Sequence, residues 1–118
     1  MLDHINLAVP NIEEAEDFYV NTLGFTISGD FQTPNGRYLF VSKDGVTYEI
    51  VENTELETAK VGHIALKSDD IEKDYNTLKA NGAKMRGQIG QVNFIFNGAK
   101  FFFIEGAAGE PIEYIQLL

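Results

Sequence analysis

The sequence has no cysteine and no apolar run near the length of a membrane-spanning helix, and it has few basic residues. Without cysteine it forms no disulfide, thiolate zinc site or thiol nucleophile, so nitrogen and oxygen atoms are the available metal ligands. A membrane-spanning helix needs about 20 apolar residues. No signal-peptide pattern precedes the first predicted strand. We therefore expect a soluble cytoplasmic protein that does not enter a membrane.

Acidic residues outnumber basic ones by 18 to 9, which gives a formal net charge of −9. Nucleic-acid binding draws much of its affinity from lysine and arginine contacts to phosphate, so this charge disfavours a nucleic-acid partner. Small molecules, cations and proteins remain as partners. The 118 residues, 44% of them hydrophobic, suit one globular domain but not two independent ones.

The chain contains two copies of one pattern, and its only two histidines occupy equivalent positions. His4-Ile5-Asn6-Leu7 is matched 59 residues later by His63-Ile64-Ala65-Leu66. If one histidine is fixed, the other falls on the equivalent position by chance in roughly one placement per hundred. The repeat therefore favours a shared role for His4 and His63.

The second half of each copy repeats as well. Residues 37–41 match 100–104, and residues 45–50 match 109–114, so that Glu49 is equivalent to Glu113. Each copy thus carries one histidine on its first predicted strand and one glutamate on its last. Two imidazoles and two carboxylates suit a divalent first-row metal ion such as Zn, Ni, Co or Mn.

Hydrophobic periodicity and turn residues predict two β-α-β-β-β modules, 1–53 and 61–118, joined by a linker at 54–60 within one domain. Asn11 and Asp69-Asp70 are the predicted helix caps, and Gly24 and Asn81-Gly82 the predicted helix ends. The predicted strands of the first module are 2–9, 25–31, 37–42 and 46–52. Those of the second are 61–67, 83–87, 91–96, 100–105 and 111–117.

This arrangement predicts an α+β fold with one curved mixed sheet, helices on its convex face and a metal and substrate cleft on its concave face. Alternation along the first strand of each module places Ile5, Leu7, Ile64 and Leu66 toward the helices. His4 and His63 then face the cleft.

Several local sequences are similar to those of one known superfamily. They are Val9–Ala15, Phe18-Tyr19, Leu23-Gly24-Phe25, Ser68–Glu72 and Gly109–Glu113. With the two histidines and two glutamates, they resemble the vicinal oxygen chelate superfamily of glyoxalases, bleomycin resistance proteins and dioxygenases. Glyoxalase I, or lactoylglutathione lyase, is the nearest type, and the resemblance covers almost the whole chain.

The resemblance implies a ligand set and a reaction. His4, Glu49, His63 and Glu113 match the four metal positions, where Ni or Zn is the first expectation and Co or Mn the second. It further implies proton transfer through a metal-stabilised enediolate on a small α-oxo compound or its thiol hemithioacetal. In this interpretation Glu113 is the catalytic base and Glu49 its partner across the metal. Asn53 matches an asparagine that binds the thiol cofactor, and a homodimer is expected.

Two other functions stay open. A metal-free drug-binding protein of the bleomycin-resistance type would use its acidic groove to bind a cationic compound, which the net charge of −9 suits. A methylmalonyl-CoA epimerase-like isomerase is the second alternative, but epimerases usually carry Gln at the position of Glu49. Dioxygenases need further histidines for oxygen chemistry, and both histidines are already used as ligands.

Overall fold

A computed structural model describes residues 1–118. The chain is α+β, as predicted, with two helices and eight strands, and parallel and antiparallel strand pairs occur in each half. It comprises two compact units: the N-terminal unit, His4–Gly62, and the C-terminal unit, His63–Leu118 with Met1–Asp3. The division into modules 1–53 and 61–118 of a single domain stays a prediction. Neither helix has the length and hydropathy that a membrane span requires.

The elements follow the predicted order in both halves of the chain, except that the second half has one strand where two were predicted. The first half contains β1 (Leu2–Val9), α1 (Ile12–Asp17), β2 (Thr26–Thr33), β3 (Gly36–Lys43) and β4 (Val46–Glu52). The second half contains β5 (Lys60–Lys67), α2 (Ile71–Ala80), β6 (Lys84–Val92), β7 (Ala99–Glu105) and β8 (Pro111–Leu117). The β-α-β-β-β order therefore occurs twice.

In the N-terminal unit the strand order is β2-β3-β4-β1. Strand β1 is parallel to β4, and the other neighbours are antiparallel. Alternate side chains of these strands pack with α1 in a core whose buried members are Leu7, Val9, Ile12, Leu39, Val41 and Ile50. Because side chains alternate between the faces of a strand, residues 4 and 6 of β1 and residue 49 of β4 lie on the face opposite α1.

Helix α1 begins at its predicted cap but ends in a wider turn. The Asn11 side chain accepts a hydrogen bond of 3.0 Å from the Glu14 N–H, which satisfies a donor of the first turn. Residues Phe18–Thr22 form a π-helical turn, closed by a hydrogen bond of 3.0 Å from the Leu23 N–H to the Phe18 carbonyl. Gly24 follows with a φ of 81°, a conformation that glycine adopts without strain.

The C-terminal unit repeats this topology with the order β5-β8-β7-β6, and β5 is parallel to β8. Asp70 caps α2 by accepting a hydrogen bond from the Lys73 N–H. Ile71, Phe102 and Ile104 form the buried core with Tyr75, Tyr114 and neighbouring apolar side chains. The alternation again sets residues 63 and 113 on the face opposite the helix.

The structure corrects the predicted strands between α2 and β7. Strands 83–87 and 91–96 were expected there, but one strand, β6, runs over Lys84–Val92. Gly87, with a φ of 80°, lies where the register shifts between Arg86 and Gly90. A glycine in this conformation makes a bulge that lets a strand continue. Residues 93–98 form bends and a turn, so Phe94-Ile95-Phe96 is not part of a strand.

One ion-pair cluster of the N-terminal unit yields a testable prediction. Arg37 donates through Nε and Nη2 to the two carboxylate oxygens of Asp30, each at 2.9 Å, and through Nη2 to Glu16 at 2.7 Å. The Arg37 hydrogen bonds hold the pKa of Asp30 below its usual range. We expect Arg37→Gln to raise the Asp30 pKa toward the ordinary aspartate value in an NMR titration.

The sign of the linked stability follows from the lowered pKa. The stabilisation is fully present above the ordinary aspartate pKa and is lost as the pH falls through the lowered value of the folded state. It is small, because the Asp30 side chain is 42% exposed and solvent screens such pairs. An Asp30 pKa that Arg37→Gln leaves unchanged would contradict the prediction.

Candidate functional site

Two of the predicted ligands, His4 and Glu49, form a pair in the N-terminal unit. His4 lies on β1 and Glu49 on the parallel neighbour β4, with Asn6 in register opposite Glu49. His4 Nε2 lies 3.6 Å from Glu49 Oε1, and the side chains are 1% and 7% exposed. The pair is therefore held between two adjacent strands and is nearly removed from solvent.

The other two predicted ligands, His63 and Glu113, form a pair at the equivalent place in the C-terminal unit. Strand β5 carries His63 and its parallel neighbour β8 carries Glu113, with Ala65 in register opposite the glutamate. His63 Nε2 lies 2.7 Å from Glu113 Oε2, and the side chains are 16% and 8% exposed. The sequence repeat is thus reproduced in strand register as well as in residue type.

A phenylalanine ring lies beside the imidazole of each pair, and neither phenylalanine was predicted as a site residue. Phe40 lies opposite Glu49 on β3, and Phe103 lies opposite Glu113 on β7. Their rings meet the imidazoles edge to face, at centroid distances of 5.9 Å for His4 and 5.1 Å for His63. The signal was available, because Phe40 and Phe103 align within the repeated segments 37–41 and 100–104.

Asn6 is a further polar residue beside the first pair, and it was not predicted as a site residue. Its side-chain Nδ2 donates a hydrogen bond of 2.8 Å to Glu49 Oε1. Asn6 is buried, with 9% exposure, and shares a strand face with His4 because side chains alternate along β1. The equivalent residue of the second module is Ala65, whose side chain has no donor. The two His–Glu pairs therefore differ in their immediate surroundings.

The donor set fits a divalent metal ion. Each pair presents an imidazole nitrogen and a carboxylate oxygen close together, and His4, His63 and Glu113 offer atoms of the kind that hold an ion. Counted over the whole residue, Glu49 and Glu113 are each 6% exposed. Buried carboxylates are costly without donors or positive charge nearby, and a metal ion supplies such charge. The structure joins each histidine to its own glutamate; one ion held by all four side chains stays a prediction.

Asn53, the predicted thiol-binding residue, begins the segment after β4. Its N–H donates 2.8 Å to the Val9 carbonyl, and its side-chain oxygen accepts a hydrogen bond of 3.1 Å from the Glu55 N–H. This is an Asx-type turn, in which an asparagine side chain imitates a backbone turn. The structure thus gives Asn53 a local role, and its contact with substrate stays a prediction.

Comparison with known proteins identifies the class. The model of the glyoxalase/bleomycin resistance protein/dioxygenase superfamily matches residues 1–114. The chain belongs to this superfamily, and the resemblance inferred from its motifs is confirmed.

Individual relatives cover nearly the whole chain. An uncharacterised protein of Bacillus subtilis is 32% identical over 98% of this chain and 96% of its own length. A lactoylglutathione lyase of Neisseria meningitidis is 28% identical over 96% of this chain and 88% of its own length. These relatives are therefore of similar size to this chain and align with both of its halves.

Solved structures show the same fold. A hypothetical protein of Bacillus halodurans superposes with a TM-score of 0.83 at 25% identity, covering 100% of this chain and 94% of that one. A methylmalonyl-CoA epimerase of Mycobacterium tuberculosis superposes with a TM-score of 0.84 at 16% identity, covering 99% of this chain and 87% of that one. At such identity the epimerase shows the fold and not the reaction.

Proposed function

We propose that the protein is a metal-dependent lyase or isomerase of the glyoxalase type, with one divalent ion bound by His4, Glu49, His63 and Glu113. The observation that carries this proposal is the repeated pair, in which an imidazole and a buried carboxylate meet on equivalent parallel strands of both halves. A chance arrangement of solvated side chains would not be expected to repeat in residue type, register and burial together.

The proposed substrate is a small α-oxo compound or the hemithioacetal that it forms with a thiol. When bound, a divalent ion supplies Lewis-acid charge that polarises a carbonyl group and stabilises the negative charge that develops on oxygen. Nickel or zinc is the first choice for two nitrogen and two oxygen ligands, with cobalt or manganese also suitable. The similarity to a lactoylglutathione lyase supports this substrate class.

Glu113 is the proposed base. Its carboxylate would take the proton from the carbon next to the carbonyl and return it to the neighbouring carbon, so the reaction is an isomerisation that consumes no other reagent. His63, 2.7 Å from Glu113, would orient the carboxylate. Glu49 is the second carboxylate of the set, and the Asn6 amide holds it. Asn53 is the proposed contact to the thiol part of the substrate.

We propose a homodimer that works in the cytoplasm, in keeping with the short chain. In such a dimer the four ligands come either from one subunit or from both. The metal-free drug-binding protein and the epimerase remain the rival functions. Each predicts a result of the following experiment that differs from the result expected for the glyoxalase-type enzyme.

The test is elemental analysis of the purified protein, followed by reloading of metal-free protein with Ni, Zn, Co and Mn. We expect about one metal ion per proposed site, and much less in His4→Ala and Glu113→Ala. Glu13→Gln, on the exposed first turn of α1, is the control that should bind metal normally. Each loaded form is then assayed for thioester formation from methylglyoxal with several thiols.

Each outcome decides between the functions. Metal binding with thiol-dependent turnover supports the glyoxalase-type enzyme. Protein that neither contains nor rebinds metal would overturn the enzyme and favour the metal-free binding protein. Bound metal with no turnover of any hemithioacetal, together with proton exchange next to an acyl-CoA thioester, would replace the glyoxalase by the epimerase.

A further inference from the structure

We infer that Asn6 is a positioning residue for Glu49, and that position 62 is glycine because the Asn6 amide must lie against it. This inference rests on the proposed metal site and makes the two His–Glu pairs unequal. It concerns residues for which neither the repeat nor the donor set alone gives a role.

A buried hydrogen bond joins the side chains of Asn6 and Glu49. Asn6 Nδ2 lies 2.8 Å from Glu49 Oε1, and both residues are buried. A hydrogen bond to an ionised group is stronger than one between neutral groups, and more so where water is scarce. The same oxygen lies 3.6 Å from His4 Nε2. The amide therefore fixes the Glu49 oxygen that faces the imidazole. Because the carboxylate is rigid, the direction of its second oxygen is then fixed as well.

Gly62 lies directly against the Asn6 amide. A Cβ atom added at position 62 would clash with Asn6 Oδ1 and lie 3.3 Å from Asn6 Cγ, whereas Asn6 Cβ is 3.9 Å away. Gly62 is not among the glycines with a positive φ, so its backbone conformation does not require glycine. It is the position of the Asn6 amide that requires glycine there. A methyl group at position 62 would push away the amide that donates to Glu49 and leave the rest of the asparagine side chain in ordinary contact.

The two modules differ at the position of Asn6. Position 65, equivalent to Asn6, is alanine and is fully buried. Asn6→Ala therefore makes the first pair like the second at this position. If the Asn6 amide only filled space, Asn6→Ala would leave metal binding unchanged.

The experiment measures the affinity of metal-free protein for Ni²⁺ and Zn²⁺ by competition with a chromophoric chelator. Residues that orient metal ligands typically contribute tenfold to hundredfold to affinity, so we expect losses of that size in Asn6→Ala and in Gly62→Ala. Thermal unfolding of each variant verifies that it is folded.

The double variant Asn6→Ala/Gly62→Ala gives the decisive result. Residues that act through one contact have non-additive effects. Once Asn6→Ala has removed the amide, a methyl group at position 62 has room, so the double variant should bind metal about as well as Asn6→Ala alone. Additive losses would overturn the link between the two residues. Unchanged affinity in Asn6→Ala would overturn the positioning role itself.

A second measurement needs no metal and separates this inference from the proposed function. The Asn6 side-chain amide has its own signal in an ¹⁵N NMR spectrum, and the bond to Glu49 should be visible as a displaced, slowly exchanging pair of protons. Glu49→Ala and Gly62→Ala should each move that signal toward the free amide position. If the wild-type protein binds no metal but both variants move the amide signal, the metal site is refuted and the Asn6 contact is kept. A signal that both variants leave in place would refute the contact.

Discussion

Replacement of Glu113 by glutamine is expected to reduce turnover of the hemithioacetal by about 10²- to 10⁴-fold, the usual worth of a positioned general base. Glutamine keeps the size of the side chain and an oxygen that can face a metal ion, but it cannot accept the substrate proton. The loss should therefore fall on kcat more than on KM or on metal content. Steady-state kinetics of the metal-loaded variant, with its metal content measured in parallel, gives this comparison.

Glu49→Gln is the matched control, because the same substitution is made at the equivalent position of the other module. It should also lose more activity than metal, but less activity than Glu113→Gln if Glu113 is the base. The Asn6 amide already donates to one oxygen of Glu49, so Glu49 is the proposed positioned ligand and Glu113 the proposed base. Equal losses in the two variants would contradict the assignment of the base to Glu113, and full activity in Glu113→Gln would contradict a role in proton transfer.

The halves of the chain were predictable because their local signals agree with one another. The bounds of β1 were predicted as residues 2–9 and those of β4 as residues 46–52, and the structure has both strands with those bounds. Clear alternation and the Asp44-Gly45 turn define them. Both residues of that turn have a positive φ, as a two-residue hairpin requires. The helix caps at Asn11 and Asp70 were likewise readable, since each combines a capping side chain with apolar residues at helical spacing.

The segment 91–96 was mispredicted because its composition and its environment disagree. Phe94-Ile95-Phe96 has the aromatic and β-branched residues that favour strands. In the structure Phe96 has a φ of 49°, and the Gly98 N–H donates 2.8 Å to the Ile95 carbonyl. Ile95 is buried, with 5% exposure. A turn that buries Ile95 thus replaces the strand, an effect of packing that local propensity does not contain.

The repeat predicted that each module carries one histidine and one glutamate, but not the hydrogen bond that Asn6 makes to Glu49. Equivalent positions of His4 with His63 and of Glu49 with Glu113 follow from alignment of the modules, whereas the contact of Asn6 with Glu49 depends on strand register. A shift of one residue would turn every side chain to the opposite face. Position 6 differs between the modules, so alignment of one module with the other did not single out Asn6. The structure was needed to show that this difference lies beside a proposed ligand.

Removal and restoration of the metal are expected to change the free energy of unfolding by about 4 kcal/mol. A ligand that binds only the folded state at a thousandfold excess over its Kd stabilises that state by this amount. Urea unfolding of metal-free protein, and of the same protein with added Ni²⁺, measures the difference. His63→Ala should show a much smaller change, because it lacks the imidazole that lies beside Glu113.

The choice of metal supplies a further check on the same effect. Sites of nitrogen and oxygen ligands generally bind Mn²⁺ less tightly than Co²⁺, and Co²⁺ less tightly than Ni²⁺. At one fixed metal concentration the increase in unfolding free energy should therefore rise in that order, and it should be retained in Glu13→Gln, on the exposed face of α1. An increase of equal size in His63→Ala would place the ion elsewhere on this acidic surface. No increase in the wild-type protein would remove the metal from the proposed function and leave the two His–Glu pairs as structural contacts between parallel strands.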